Sequence, residues 1–194
     1  NKKNYIVVAI VLVIAIVGAI IYYAYQETRK YVTASENKNN MAFFELVDYV
    51  QNVEAYLAKS LVSTTSERGA ETLTHLWREA NLAQSCLSKL PVESQKLENT
   101  EKFLNQVSEY SYTMANKCID GQDLSDEDMD KIQELYNYAN DLSNTLNEMI
   151  TELNNGTIKW EDLKKNAEGS DISEVSNFNM VEQNFHEYSG LIYD

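Results

Sequence analysis

Residues able to do chemistry are few and far apart in this chain. Its 194 residues hold two histidines, His75 and His186, and two cysteines, Cys86 and Cys118. An active site needs differently tuned groups converging on one place. No HExxH, GxSxG, P-loop or GxGxxG pattern occurs to assemble one. Acids are abundant, 30 Asp+Glu against 16 Lys+Arg, but on helices such acids are usually solvated faces. Their one dense cluster, Asp120–Asp130, reads DGQDLSDEDMD. A calcium loop needs oxygen ligands at alternate positions, a glycine at the sixth and a glutamate at the twelfth. The cluster misses that spacing and reads as a loop leading into a helix N-cap. No catalytic, cofactor-binding or metal-ligating residue is assigned, and the expectation is a protein without enzyme activity, cofactor or small-molecule substrate.

The cysteines can be placed from helix geometry. Cys86 falls on one predicted helix and Cys118 on the next, joined through a turn centred near residue 94 or 95. In an antiparallel hairpin Cys86 then faces about residue 103, which leaves Cys118 roughly 22 Å away at about 1.5 Å per residue. A disulfide requires Cα atoms within about 7 Å. Both are therefore expected as free thiols used as small core residues.

The elements that hold these residues begin with the stretch Tyr5–Tyr25, YIVVAIVLVIAIVGAIIYYAY, which contains no charge. About 20 apolar residues span a bilayer core as a helix, whereas apolar runs of buried core helices usually stop at about 10–14. Tyr5 stands at one end and Tyr22, Tyr23 and Tyr25 at the other, where amphipathic rings settle at the headgroup level. Ile6, Val13 and Gly18 belong to the apolar body. Val17-Gly18-Ala19 loosely resembles a signal-peptide cleavage pattern, but the apolar run continues past it, so an uncleaved single-span anchor is expected over residues 1–30. Lys2 and Lys3 precede the span and Arg29 and Lys30 follow it, so local charge does not orient it. A short N-terminus before one span and a large domain favours N-in, C-out. The chain opens at Asn1 rather than methionine, which fits a fragment.

Residues 31–194 form the expected helical domain. Glycine and proline are scarce, six and one in the chain, which disfavours a β-sandwich and favours long helices. Phe43, Leu46, Val50, Val53, Leu57 and Leu61 recur at steps of three and four residues, one stripe of a helix over about 35–65. A second helix over 67–90 carries Leu73, Leu76, Ala80, Ala83, Leu87 and Leu90, and Pro91 stops it. A third over 98–119 carries Leu104, Val107, Ser111, Met114 and Cys118, with Phe103 and Tyr110 beside them, before an Asp120-Gly121 stop signal. Ser125–Asp128 opens a fourth as a capping box, with Ile132, Leu135, Ala139, Leu142, Leu146, Met149 and Leu153 along it until Asn155-Gly156. A short helix over about 160–166, a loop over 168–173 and a last helix over 178–188 follow. The fold class is all-α: a transmembrane helix, then an antiparallel bundle of about four long helices with one or two short C-terminal helices.

Thirteen tyrosines is a high count. Tyr110, Tyr112, Tyr136 and Tyr138 crowd the third and fourth helices, and Trp160 follows them. They are either rim residues with wet hydroxyls or a protein-binding surface, since tyrosine and tryptophan carry interface energy. Trp77 adjoins the Leu76 stripe and reads as packing. The net charge of −14 argues against nucleic acid, whose phosphates demand Lys and Arg.

Several phrases in order resemble the N-terminal region of the YpeB family of sporulation and germination proteins. They are Leu76-Trp77-Arg78, Leu87–Pro91, Glu101-Lys102-Phe103-Leu104, Ser108-Glu109-Tyr110-Ser111-Tyr112, Leu124-Ser125-Asp126, Leu135-Tyr136, Lys159-Trp160-Glu161-Asp162 and Phe178–Ser189. That family also carries repeated small α/β PepSY domains after this region. None lies within these residues, which fits a truncated or processed chain. The resemblance implies a non-enzymatic protein of the spore inner membrane, with its bulk on the cortex side. It also implies a role in keeping the cortex-lytic enzyme SleB, a peptidoglycan lytic transglycosylase, present and held in the dormant spore. The rival reading from the same elements is an extracytoplasmic sensor domain of a membrane receptor. A membrane-bound hydrolase, the third option, is opposed by the missing site. Counting reactive thiols after denaturation without reductant tests the cysteine placement: two are expected, and none would show a disulfide.

Overall fold

The computed structural model describes residues 2–63, 65–92 and 97–165. Its described residues are helical, without a strand: α1 (Lys2–Leu61), α2 (Ser66–Leu87), α3 (Glu98–Ile119), α4 (Asp126–Asn154) and the short α5 (Trp160–Lys165). The chain divides into two units, residues 1–40 and 41–194. The loop and helix expected over 168–173 and 178–188 lie outside the described residues.

In the first unit the backbone is helical from Lys2, and side chains are described from Val13 onward. Ile14, Ile20, Ile21 and Tyr23 are each at least 62% exposed, and Val13, Tyr22 and Tyr25 are exposed with them. Tyr22 and Tyr23 meet edge to face at 6.4 Å, and the Arg29 guanidinium lies 5.1 Å from the Tyr25 ring centre. Among the described residues no helix is long and apolar enough to cross a membrane. The expected transmembrane helix is therefore not found there. The side chains of Tyr5 and Ile6, which the expected span needs, lie outside the description.

The second unit is organised by four apolar stripes. On α1, Phe43, Leu46, Val50, Val53 and Leu57 are all within 1% of complete burial, while Leu61 at the helix end is only partly covered. Leu73, Leu76, Ala80 and Ala83 of α2, Phe103, Leu104 and Val107 of α3, and Ile132, Ala139, Leu142 and Leu146 of α4 are equally dry. Each large apolar side chain buried this way contributes about 1.5–3 kcal/mol. Ser111 also lies on the dry face of α3. Its hydroxyl donates to the backbone carbonyls of Val107 and Ser108, so that hydroxyl is satisfied.

The contacts between elements run antiparallel in each pair. Tyr56, Asn52 and Glu45 of α1 meet His75, Glu79 and Cys86 of α2. Gly69, Trp77 and Asn81 of α2 meet Cys118, Tyr112 and Ser108 of α3. Phe103 and Tyr110 of α3 meet Tyr138 and Asp128 of α4. Gln51 and Glu54 of α1 meet Asn147 and Asn140 of α4. The cysteines thus sit at opposite ends of the α2–α3 pair, and both are buried and free. Gly69 permits a close approach, since a Cβ there would stand 3.0 Å from the Cys118 sulfur.

Helix ends follow local chemistry. Thr65 caps α2 through its hydroxyl, which accepts from the Arg68 amide. Ser125 and Asp128 form a reciprocal capping box at α4. Its N3 residue is Asp instead of the commoner Glu, and the dipole favours the charge there. α2 stops at Leu87, a few residues short of the expected end at Leu90. The last carbonyls of α3 and α4 are taken by paired bonds, from Gly121 to Cys118 and from Gln122 to Lys117, then from Gly156 to Leu153 and from Thr157 to Glu152. Such closure places the residue after the cap in the left-handed region, and Gly121 and Gly156 have φ of 79° and 73°. Gly121→Ala and Gly156→Ala should each destabilise the fold by about 1 kcal/mol. Urea unfolding followed by circular dichroism checks this, and an unchanged midpoint would contradict it.

Candidate protein-binding surface

The aromatic residues expected at a partner surface fall into different environments. Trp160 is 5% exposed and packs edge to face on Phe43 at 5.7 Å, which closes its ring to a partner. Tyr136 is half-buried against the core. Tyr110 is half-buried too, and its hydroxyl donates to the Asp128 backbone carbonyl at 3.1 Å, with the Asp128 carboxylate at 3.4 Å. Tyr112 is the exposed member, at 54%. The four do not form one surface.

Tyr112 finds a different neighbour. Its ring lies 5.6 Å from that of Trp77, tilted by 47°, and Trp77 is 40% exposed. The pair straddles α2 and α3. Asn81 fixes the base of this face: its amide donates to the Trp77 carbonyl at 2.7 Å and to the Ser108 hydroxyl at 2.9 Å. Met41, Val62, Leu82 and Ile119 are also exposed, but no aromatic contact joins them. Trp77 was expected as packing. It follows Leu76 by one residue, and one residue turns the side chain about 100° around the axis. Tyr112 stands in the same relation to Ser111. That offset was the available signal that both rings face outward.

Elsewhere in the unit the polar chemistry is structural. Asp128 receives Lys117 Nζ at 2.5 Å, the Ser125 hydroxyl at 2.7 Å and the Ser125 amide at 2.8 Å. Burial pushes its carboxyl upward, but these hydrogen bonds outweigh it and hold the pKa at about 2. Burial, then the neighbouring Asp128 carboxylate, raises the Tyr110 hydroxyl well above its ordinary value, keeping it a neutral donor. Glu79 is nearly buried on α2. One of its carboxylate oxygens accepts from Arg78 at 2.7 Å and the other from Asn52 at 3.0 Å. Burial raises both thiols, the opposite of what a reactive thiolate needs. His75 stacks on Tyr56 at 5.3 Å, and His186 lies outside the described residues. Among the described residues no group of three His, Cys, Asp or Glu side chains could hold a metal ion.

A protein helical across its described residues, with a paired aromatic surface and with Glu54, Glu79 and Asp128 engaged in helix-to-helix contacts, is the class this geometry defines. The chain belongs to the YpeB N-terminal family, whose model matches residues 27–162. Curated relatives are similar over most of the chain, each called "Sporulation protein YpeB". The protein of Halalkalibacterium halodurans is 26% identical over 153 residues, covering 77% of this chain and 34% of the relative. That of Bacillus subtilis is 25% identical over 185 residues, covering 92% of this chain and 41% of the relative. The chain thus spans about two fifths or less of the length of these relatives. No solved structure gives a significant match.

The Asp128 network sets a pH dependence. Its folded pKa lies below the ordinary 3.8, so its stabilisation is present above about pH 4 and is lost as pH falls toward about 2. Between those values the wild type should lose more thermal stability than Asp128→Asn. Equal losses would show that the network contributes nothing. For Tyr110 the sign reverses: its contribution holds below the ordinary tyrosine range and falls away above about pH 10.

Proposed function

We propose that this chain is the membrane-tethered, non-enzymatic helical part of a sporulation protein that holds a cortex-lytic enzyme, SleB, beside the spore inner membrane. The single observation that carries the reading is membership of the YpeB N-terminal family over residues 27–162. The sequence feature behind the tether is the uncharged run Tyr5–Tyr25, of bilayer-spanning length. In this reading the run crosses the membrane once, and α1 from Met41, α2, α3 and α4 form an up-and-down bundle on the cortex side.

Physically the work is tethering and masking. One span fixes the domain at the membrane and raises the local concentration of whatever it binds. The Trp77–Tyr112 pair supplies the rigid aromatic contact that interfaces favour. A net charge of −14 steers a basic partner toward it. The germination role follows as retention of the lytic enzyme in the dormant spore until cortex breakdown begins.

The test is capture of the lytic enzyme by the full chain in detergent. The wild type should retain it at low and moderate salt, and Trp77→Ala should weaken binding by about tenfold or more, the scale of a hot-spot residue. Ile119→Ala, also exposed but outside the aromatic pair, should bind as wild type. No association at any salt would defeat the scaffold reading. Unchanged binding by Trp77→Ala would move the interface to another face.

A further inference from the structure

A groove where the end of α1 meets the start of α2 is lined by Tyr56, Lys59, Arg68, Glu71, Thr72 and His75. Three of these carry or can carry positive charge, in a chain whose net charge is −14. The ion pairs among the described residues are Arg78–Glu79, Lys102–Glu98, Lys117–Asp128 and Lys131–Glu127. Lys59, Arg68 and His75 are in none of them. Their placement is fixed by ring contacts instead: the Lys59 ammonium lies 4.6 Å from the Tyr56 ring centre, and the His75 ring stacks on the same tyrosine at 5.3 Å and 19°. Tyr56 is thus a plate that holds two of the three groups at the groove. The guanidinium of Arg68 offers a fork of donors, and the hydroxyl of Thr72 offers one more. Glu71 is the one acid among the lining residues, and it opposes an anion.

We propose that this groove is a binding site for a phosphate group, held by Lys59, Arg68 and His75. Lys59 and Arg68 bring charge and donors to one groove, His75 and Thr72 add donors, and only Glu71 opposes them there, so an anion with several acceptor oxygens suits the lining. Phosphate fits this description whether it is free or carried on a lipid headgroup. The site is separate from the Trp77–Tyr112 face, so it stands whether or not the scaffold reading does.

The test uses the full chain in an uncharged detergent, titrated calorimetrically with inorganic phosphate in one arm and glycerophosphoglycerol, a lipid headgroup diester, in the other. Saturable binding in either arm is expected, and the arm that binds more tightly identifies the source. Lys59→Gln and Arg68→Gln should each weaken binding by about two- to fivefold, the scale of one exposed charge contact. Glu71→Gln should tighten it by a similar factor, with helicity unchanged in all three. No saturable binding in either arm would overturn the proposal. So would binding that the variants leave untouched, or that an equal ionic strength of chloride abolishes.

Discussion

Keeping water away from four apolar stripes at once is the constraint on which the second unit depends. No one of these helices can bury Val50, Leu76, Leu104 or Leu142 alone, and all four residues are at most 1% exposed. An isolated helix of this composition would be marginal in water, because its stability comes from packing an apolar face. Everything polar is subordinate to that seam. Asn52 and Glu79, Glu54 and Asn140, and Asp128 and Lys117 join neighbouring helices. A hydrogen bond of this kind adds about 1 kcal/mol net, far less than the seam. Its effect is on register: a helix slid by one turn would leave Glu79 buried without Asn52.

The same seam explains which features could be read in advance. The periodicity of Leu73 through Leu87 and of Ile132 through Met149 announces buried faces, because only helical spacing brings those residues together. Ser125 and Asp128, and the glycines at 121 and 156, mark helix ends by local chemistry alone. The fates of the aromatic residues were harder. Trp160 follows Gly156 in a stretch with little periodicity, and only its contact with Phe43, more than a hundred residues earlier in the chain, makes it core. Tyr110 faces the α4 N-terminus, where its hydroxyl donates to the Asp128 carbonyl, a pairing no spacing reveals. Trp77 was readable from its offset, but a large apolar side chain beside a stripe invites assignment to the core.

The distribution of polar and aromatic side chains bears on what the domain does. Its cysteines and its buried acid Glu79 are built into helix contacts, and burial moves the thiols away from reactivity. Among the side chains left outward is a tilted pair of rings on α2 and α3. That arrangement suits binding. It agrees with membership of a sporulation family, while the partner and the membrane attachment belong to the proposal made above.

Hydrogen–deuterium exchange of the full chain, alone and with the lytic enzyme, tests the scaffold account most directly. The account predicts added protection confined to the α2 and α3 segments around Trp77 and Tyr112, with α4 unchanged. Protection concentrated on α4, or none at saturating partner, would contradict it.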